Sequence, residues 1–73
     1  INGVRIMSVA KIVELTSSSK VSFDDAINKG IERACKTLDH VRGAWVEDQK
    51  VKIENGKIVE YRVNLKITFV LEE

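Results

Sequence analysis

The sequence predicts an α+β fold: a β-α-β-β subunit in which the last two strands form an antiparallel hairpin. Three observations carry this expectation. From Val59 to Leu71 every second residue is apolar: Val59, Tyr61, Val63, Leu65, Ile67, Phe69 and Leu71. Between them lie Glu60, Arg62, Asn64, Lys66 and Thr68, with Val70 the exception. This is the period of a strand with one buried face. Upstream, Phe23, Ala26, Ile27, Ile31, Ala34, Leu38 and Val41 recur at spacings of three and four, one continuous helix face. Between two alternating segments stands Glu54-Asn55-Gly56-Lys57. Asn-Gly is a strong hairpin signal, because both residues tolerate positive φ.

The elements follow in order. Val9, Lys11, Val13 and Leu15 alternate with Ala10, Ile12, Glu14 and Thr16, which predicts a first strand. Ser17-Ser18-Ser19-Lys20 reads as a polar connection. Ser22 is a good helix N-cap, with Asp25 three residues on, as in a capping box with a shorter acid. Asp24 and Asp25 place negative charge in the first turn, where the helix dipole favours it. Asp25 with Lys29, and Glu32 with Lys36, are acid-before-base pairs four residues apart. Gly43 suits the helix C-terminus or the loop after it. From Trp45 the period returns to two. Trp45, Glu47, Gln49, Val51 and Ile53 are expected on one side, and Val46, Asp48, Lys50, Lys52 and Glu54 on the other.

A chain of 73 residues makes one domain, 1–73; Met7 is a candidate start, with Ile1 to Ile6 then either a remnant that is not native or a disordered lead-in, which the sequence does not decide. Such a domain buries a modest share of its surface and needs a disulfide, a metal or a partner. The single cysteine, Cys35, excludes an internal disulfide, and no Cys/His cluster suggests structural zinc. The formal charge of +1, with acids and bases interspersed, argues against a nucleic-acid partner. No run of ~18 apolar residues suggests a membrane span, and no signal-peptide pattern is visible. The expected compartment is the cytoplasm.

Geometry points to self-assembly. A helix from Phe23 to Val41 measures ~28 Å at 1.5 Å per residue. The 13 residues of the last strand span ~43 Å. One helix does not cover that stripe. The excess apolar surface is expected to meet another copy of the chain, since most soluble oligomers are symmetric homo-oligomers.

The segment Lys11-Ile12-Val13-Glu14-Leu15-Thr16, the serine-rich connection and a helix ending in Lys36-Thr37-Leu38 resemble dodecins. So do the Glu54-Asn55-Gly56-Lys57 hairpin, Tyr61-Arg62-Val63-Asn64-Leu65-Lys66 and the close Leu71-Glu72-Glu73. The resemblance spans nearly all of residues 8–73. It implies an antiparallel three-stranded sheet wrapped around the one helix, and a hollow shell of twelve identical subunits that binds and stores flavin (FMN, riboflavin or FAD) without catalysis. In that family a Trp at the start of strand two stacks on the flavin ring; the matching position is Gly43. A Gln after the Tyr of strand three bonds the ring edge; the matching position is Arg62. Neither functional residue carries over by identity.

Trp45 is then the candidate stacking residue. It lies two residues beyond Gly43, on the same side and ~7 Å along a regular strand. Its bland alternative is an interface or core aromatic. Arg62 offers donors only, so it does not reproduce the amide's paired donor and acceptor. Its commoner role is a solvated or intersubunit ion pair. Lys66 shares that side, and Gln49 is expected on the side of Trp45. These five residues, Gly43, Trp45, Gln49, Arg62 and Lys66, form the candidate site.

The remaining chemistry has bland readings. His40 has no metal or catalytic partner in sequence and reads as a surface residue of the last helical turn. Cys35, beside the apolar stripe, reads as a small buried hydrophobe. Asp24-Asp25 is explained by capping. No catalytic residue and no metal ligand is expected. Two functions stay open: a flavin-binding storage assembly with an altered site, or a dodecin-like structural shell. The second would hold another anionic or aromatic ligand, or a metal ion.

Overall fold

The computed structural model describes the chain from Val9 to Glu72, so the reading of Ile1 to Ile6 lies outside the described residues. The order is β1 (Val9–Ser19), α1 (Phe23–Thr37), β2 (Val41–Glu54) and β3 (Lys57–Glu72). β3 is central, with β1 and β2 antiparallel on either side. With a strand on each side, the middle of β3 opposite the helix holds the most deeply buried residues of the sheet. Val63, Leu65 and Ile67 are fully buried there, against Ala26 and Ala34 of α1. Leu15, Phe23, Ile27, Ile31, Leu38 and Val41 pack around them.

The expected signals operate at both ends of the connections. The Ser22 hydroxyl accepts from the Asp25 N–H at 3.0 Å, which caps α1. Ser19 is buried at the end of β1. Its hydroxyl donates to the Asp25 carboxylate and accepts from the Val21 N–H at 2.9 Å. That bond first, and Lys29 at 3.2 Å second, hold the Asp25 carboxyl below its ordinary 3.8. A depressed carboxyl contributes stability above its ordinary value and loses it as pH falls through the folded one. Phe23 meets Tyr61 edge-on, ring centres 5.1 Å apart, and so ties the start of the helix to β3. Asn55 and Gly56 take φ of 52° and 76°, closing the hairpin between β2 and β3 as its sequence predicts.

Three boundaries differ from the sequence reading. β1 continues through the serines to Ser19, paired with Val63, Arg62 and Tyr61 of β3. Serine is compatible with a ladder, and the partner strand supplies the hydrogen bonds. The helix ends at Thr37, not Val41. Leu38 turns extended (φ −115°, ψ 137°), and its N–H still bonds the Ala34 carbonyl at 2.9 Å. Leu38 and Val41 therefore keep the helical spacing but reach the core as a cap residue and a strand residue. His40 lies in the turn after the helix with φ of 60°, not in the last helical turn, and its carbonyl accepts from the Val70 N–H. Gly43, expected at the helix end, is inside β2.

The helix contact is also narrower than its apolar periodicity suggests. The stripe nearest the sheet is Ala26, Gly30 and Ala34, all buried. Cys35 lies about 100° further round the helix and is exposed, which corrects its reading as a buried hydrophobe.

The subunit is elongated. Its extents are 60 × 20 × 15 Å, and its radius of gyration is 15.7 Å. A compact chain of this length would have about 11 Å. The 15-residue helix is ~22 Å long, against ~54 Å for the 16-residue β3. Both ends of the sheet overhang it. Ile53 and Ile58 are exposed at the hairpin end, and Val9, Ile12 and Leu71 at the other.

Candidate functional site on the outer sheet face

Register decides which residues share a face, because directly paired residues project to the same side. Leu65 and Ile67 face the helix, so Arg62, Asn64, Lys66 and Thr68 of β3 face outward. β1 adds Glu14, opposite Lys66, and Thr16, opposite Asn64. β2 adds Gly43, opposite Thr68, Trp45, opposite Lys66, and Asp48, opposite Asn64.

Strand β2 contains irregularities that period-two counting misses. Val46 pairs with Leu65 and Asp48 with Asn64, so Glu47 is an extra residue, a β-bulge. The bulge reverses the alternation. Trp45 faces outward before it, while Gln49 pairs with Val63 on the helix side after it. The expectation that Gln49 shares the side of Trp45 is therefore corrected. Gln49 is separated from the other four candidates by the sheet itself. Val46 likewise belongs with the helix side, opposite Leu65.

Lys66 is the hub of the outer face. Its ammonium lies 3.5 Å from Glu47 and 3.8 Å from Glu14. It also sits 5.6 Å from the centre of the Trp45 ring, a cation–π contact. The lysine thus backs the indole, and two carboxylates hold the lysine. Trp45 remains 54% exposed. One row along, the Thr16 hydroxyl donates to Asn64 Oδ1 at 2.8 Å, and Asn64 Nδ2 donates to Asp48 at 2.7 Å. This polar row crosses all three strands. Glu14, Leu15, Thr16, Glu47 and Asn64 line an open groove of about 360 Å³.

Gly43 leaves space: a Cβ there would meet no atom within 4 Å beyond its chain neighbours. Arg62 is further toward the hairpin and pairs with Glu60 at 3.3 Å. The Ser18 hydroxyl first, then Arg62, hold the Glu60 carboxyl below its ordinary value. Gly43, Trp45 and Lys66 thus form one neighbourhood, Arg62 lies apart on the same face, and Gln49 is on the other. Glu14, Glu47, Asp48, Thr16 and Asn64 join Trp45 only through register and the bulge. Their sequence signal was ordinary strand polarity.

Among known protein families, the chain matches Dodecin over residues 9–72. The chain belongs to the dodecin family. The dodecin of Thermus thermophilus is 37% identical over 65 residues, covering 89% of this chain and 94% of that protein. Dodecin from Streptomyces coelicolor superposes with a TM-score of 0.86 at 28% identity, covering 92% of this chain and 96% of that one. Calcium dodecin from Mycobacterium tuberculosis, described as calcium chelating with a novel calcium-binding site, superposes with a TM-score of 0.77. It is 30% identical, over 89% of this chain and 93% of its own. Among the described residues of this dodecin, no three His, Cys, Asp or Glu side chains are grouped to hold a metal ion. No helix among them is long and apolar enough to cross a membrane.

Proposed function

We propose that this dodecin is a non-catalytic binding and storage protein of the cytoplasm. It works as a homo-oligomer of twelve subunits and stacks a flavin ring on Trp45. The observation that carries the ligand reading is the Trp45 indole. It is exposed over half its area, held from beside by Lys66, and next to the open position of Gly43. A flat, fixed aromatic with free area is a ready stacking platform. Arg62 lies on the same face four residues along β3 from Lys66, roughly 14 Å of strand. The overhanging sheet ends carry the oligomer reading: their exposed apolar residues would be buried by neighbouring copies.

The experiment is a riboflavin titration followed by flavin fluorescence, with mass measured by light scattering. The expected mass is near twelve subunits. Trp45→Ala is expected to abolish quenching while leaving the mass unchanged. Gly43→Trp in that background is expected to restore part of it. Affinity is expected to be weaker than nanomolar, because the loss of the family's stacking residue forfeits roughly 0.5–1.5 kcal/mol beyond its area. Collapse of the oligomer on Trp45→Ala would make the residue an interface anchor.

A second reading, a shell that holds a metal ion, is favoured by the kinship with calcium dodecin. No three His, Cys, Asp or Glu side chains are grouped within the described residues of one subunit, so in this reading the site lies between subunits, with amide, backbone or water oxygens completing the shell. Calcium titration by calorimetry decides between them.

A further inference from the structure

The outer face of the sheet changes character at Trp45. Toward the hairpin its paired rows are polar: Asp48, Asn64 and Thr16, then Lys50, Arg62 and Ser18. In the other direction they carry no charge. The row beside Trp45, Lys66 and Glu14 is Gly43, Thr68 and Ile12, and the next pairs Val70 with Ala10. Arg42, the extra residue between Val41 and Gly43, is outside these rows and engaged in an interaction of its own. Ile12 is the large apolar residue on the polar side of β1, and it is 50% exposed. It pairs with Thr68, so it faces away from the helix, and a longer helix would not cover it.

This row continues the stacking surface. Neighbouring strands are ~4.8 Å apart, so Gly43 and Ile12 stand ~10 Å apart across the sheet, with Thr68 between them. Gly43 puts no side chain in the way, and a Cβ there would meet no atom within 4 Å beyond its chain neighbours. A fused three-ring system that runs from Trp45 over Gly43 and Thr68 therefore ends at Ile12. A flavin ring has one hydrogen-bonding edge and one methyl-bearing edge. The methyl edge gains at an exposed isoleucine and gains nothing beside the polar rows on the hairpin side.

We propose, on the basis of flavin stacking at Trp45, that Ile12 is a ligand-contact residue: it closes the apolar end of the site and receives the methyl-bearing edge of the ring. The contact also orients the ring, since the reverse placement sets the methyl edge toward Asp48, Asn64 and Thr16.

The test is riboflavin titration of the intact protein and of two variants, Ile12→Val and Ile12→Thr, with mass measured by light scattering. Valine and threonine share a branched shape and both suit a strand, so they differ chiefly in apolarity. About half of the isoleucine surface is left for a ligand to bury. Making that surface polar corresponds to about fivefold in affinity, and removing one methylene to about twofold. The expected result is a loss of about fivefold in Ile12→Thr and about twofold in Ile12→Val, at unchanged mass. Equal affinities of the two variants, with quenching still lost in Trp45→Ala, overturn the contact and leave flavin stacking standing. A lower mass in Ile12→Thr places Ile12 in a subunit interface and overturns the contact equally. Absence of riboflavin binding in the unaltered protein overturns the flavin reading itself, and the contact with it.

Discussion

Leu65→Asp is expected to abolish the folded subunit, and with it any assembly. Leu65 is 1% exposed at the centre of β3, between Leu15 of β1 and Val46 of β2. The substitution removes a packed side chain, at about 2–5 kcal/mol for truncation alone. It also puts a carboxylate where no partner exists, which adds several kcal/mol. Against a total stability of about 5–15 kcal/mol for a typical domain, the loss is decisive. Lys66→Asp, one residue on, is the control. It breaks ion pairs with Glu14 and Glu47 on the open face and sets a third carboxylate beside them. Exposed pairs contribute about 0–1 kcal/mol each, so the subunit is expected to stay folded with a modestly lower melting temperature. Circular dichroism melts of both variants make the comparison. Equal damage would mean that the outer face is as buried as the inner one, and the assignment of Lys66 to the ligand side would fall.

Gly30→Val is expected to be the second most damaging single change. A Cβ at this position would lie 2.7 Å from Leu65 Cδ1, 3.1 Å from Ser17 Cβ and 3.2 Å from Leu15 Cδ1. The leucine tips have some freedom to move. The Ser17 Cβ does not, because Ser17 is held in the β1–β3 ladder. Valine adds two further methyl groups to that gap, and overpacking of this kind costs about 1–3 kcal/mol, occasionally more. A domain of this size loses about 4–8 °C per kcal/mol, so a fall of roughly 4–24 °C is expected in a thermal melt. Gly30→Ala is expected to fall between: its single methyl needs only small shifts, and the helix gains about 0.5–1 kcal/mol from replacing glycine. A valine variant that melts with the wild type would show that the helix stands further from the sheet than this stripe of small residues requires.

These two positions show what was legible in the sequence and what was not. Leu65 is legible. It stands in the middle of seven alternating apolar residues, and no other period fits them. Gly30 is not: it follows Lys29, precedes Ile31, and reads as a weak point in a helix. Its importance comes from the distance between two elements, which no local pattern encodes. The helix end is hidden from the sequence for a related reason. Leu38 and Val41 continue the helical spacing in sequence, yet they reach the same core through an extended cap and a new strand.

The candidate site divides in the same way. Trp45 and Lys66 were each visible as unusual or well-placed residues on alternating strands. Their pairing across β2 and β3 follows from the Asn55-Gly56 turn only once the bulges between them are known. Glu47, the extra residue of one such bulge, moved Gln49 to the other face and brought its own carboxylate to Lys66. The sequence by itself determined the element order, the hairpin and the elongated sheet that one helix leaves partly bare, because these rest on local periodicity and turn chemistry; the central place of β3 came from the tertiary structure. Only the tertiary structure decided which polar residues surround Trp45. One inserted residue reverses the face of every residue that follows it, and a period-two pattern with polar residues on both sides does not record where the insertion falls.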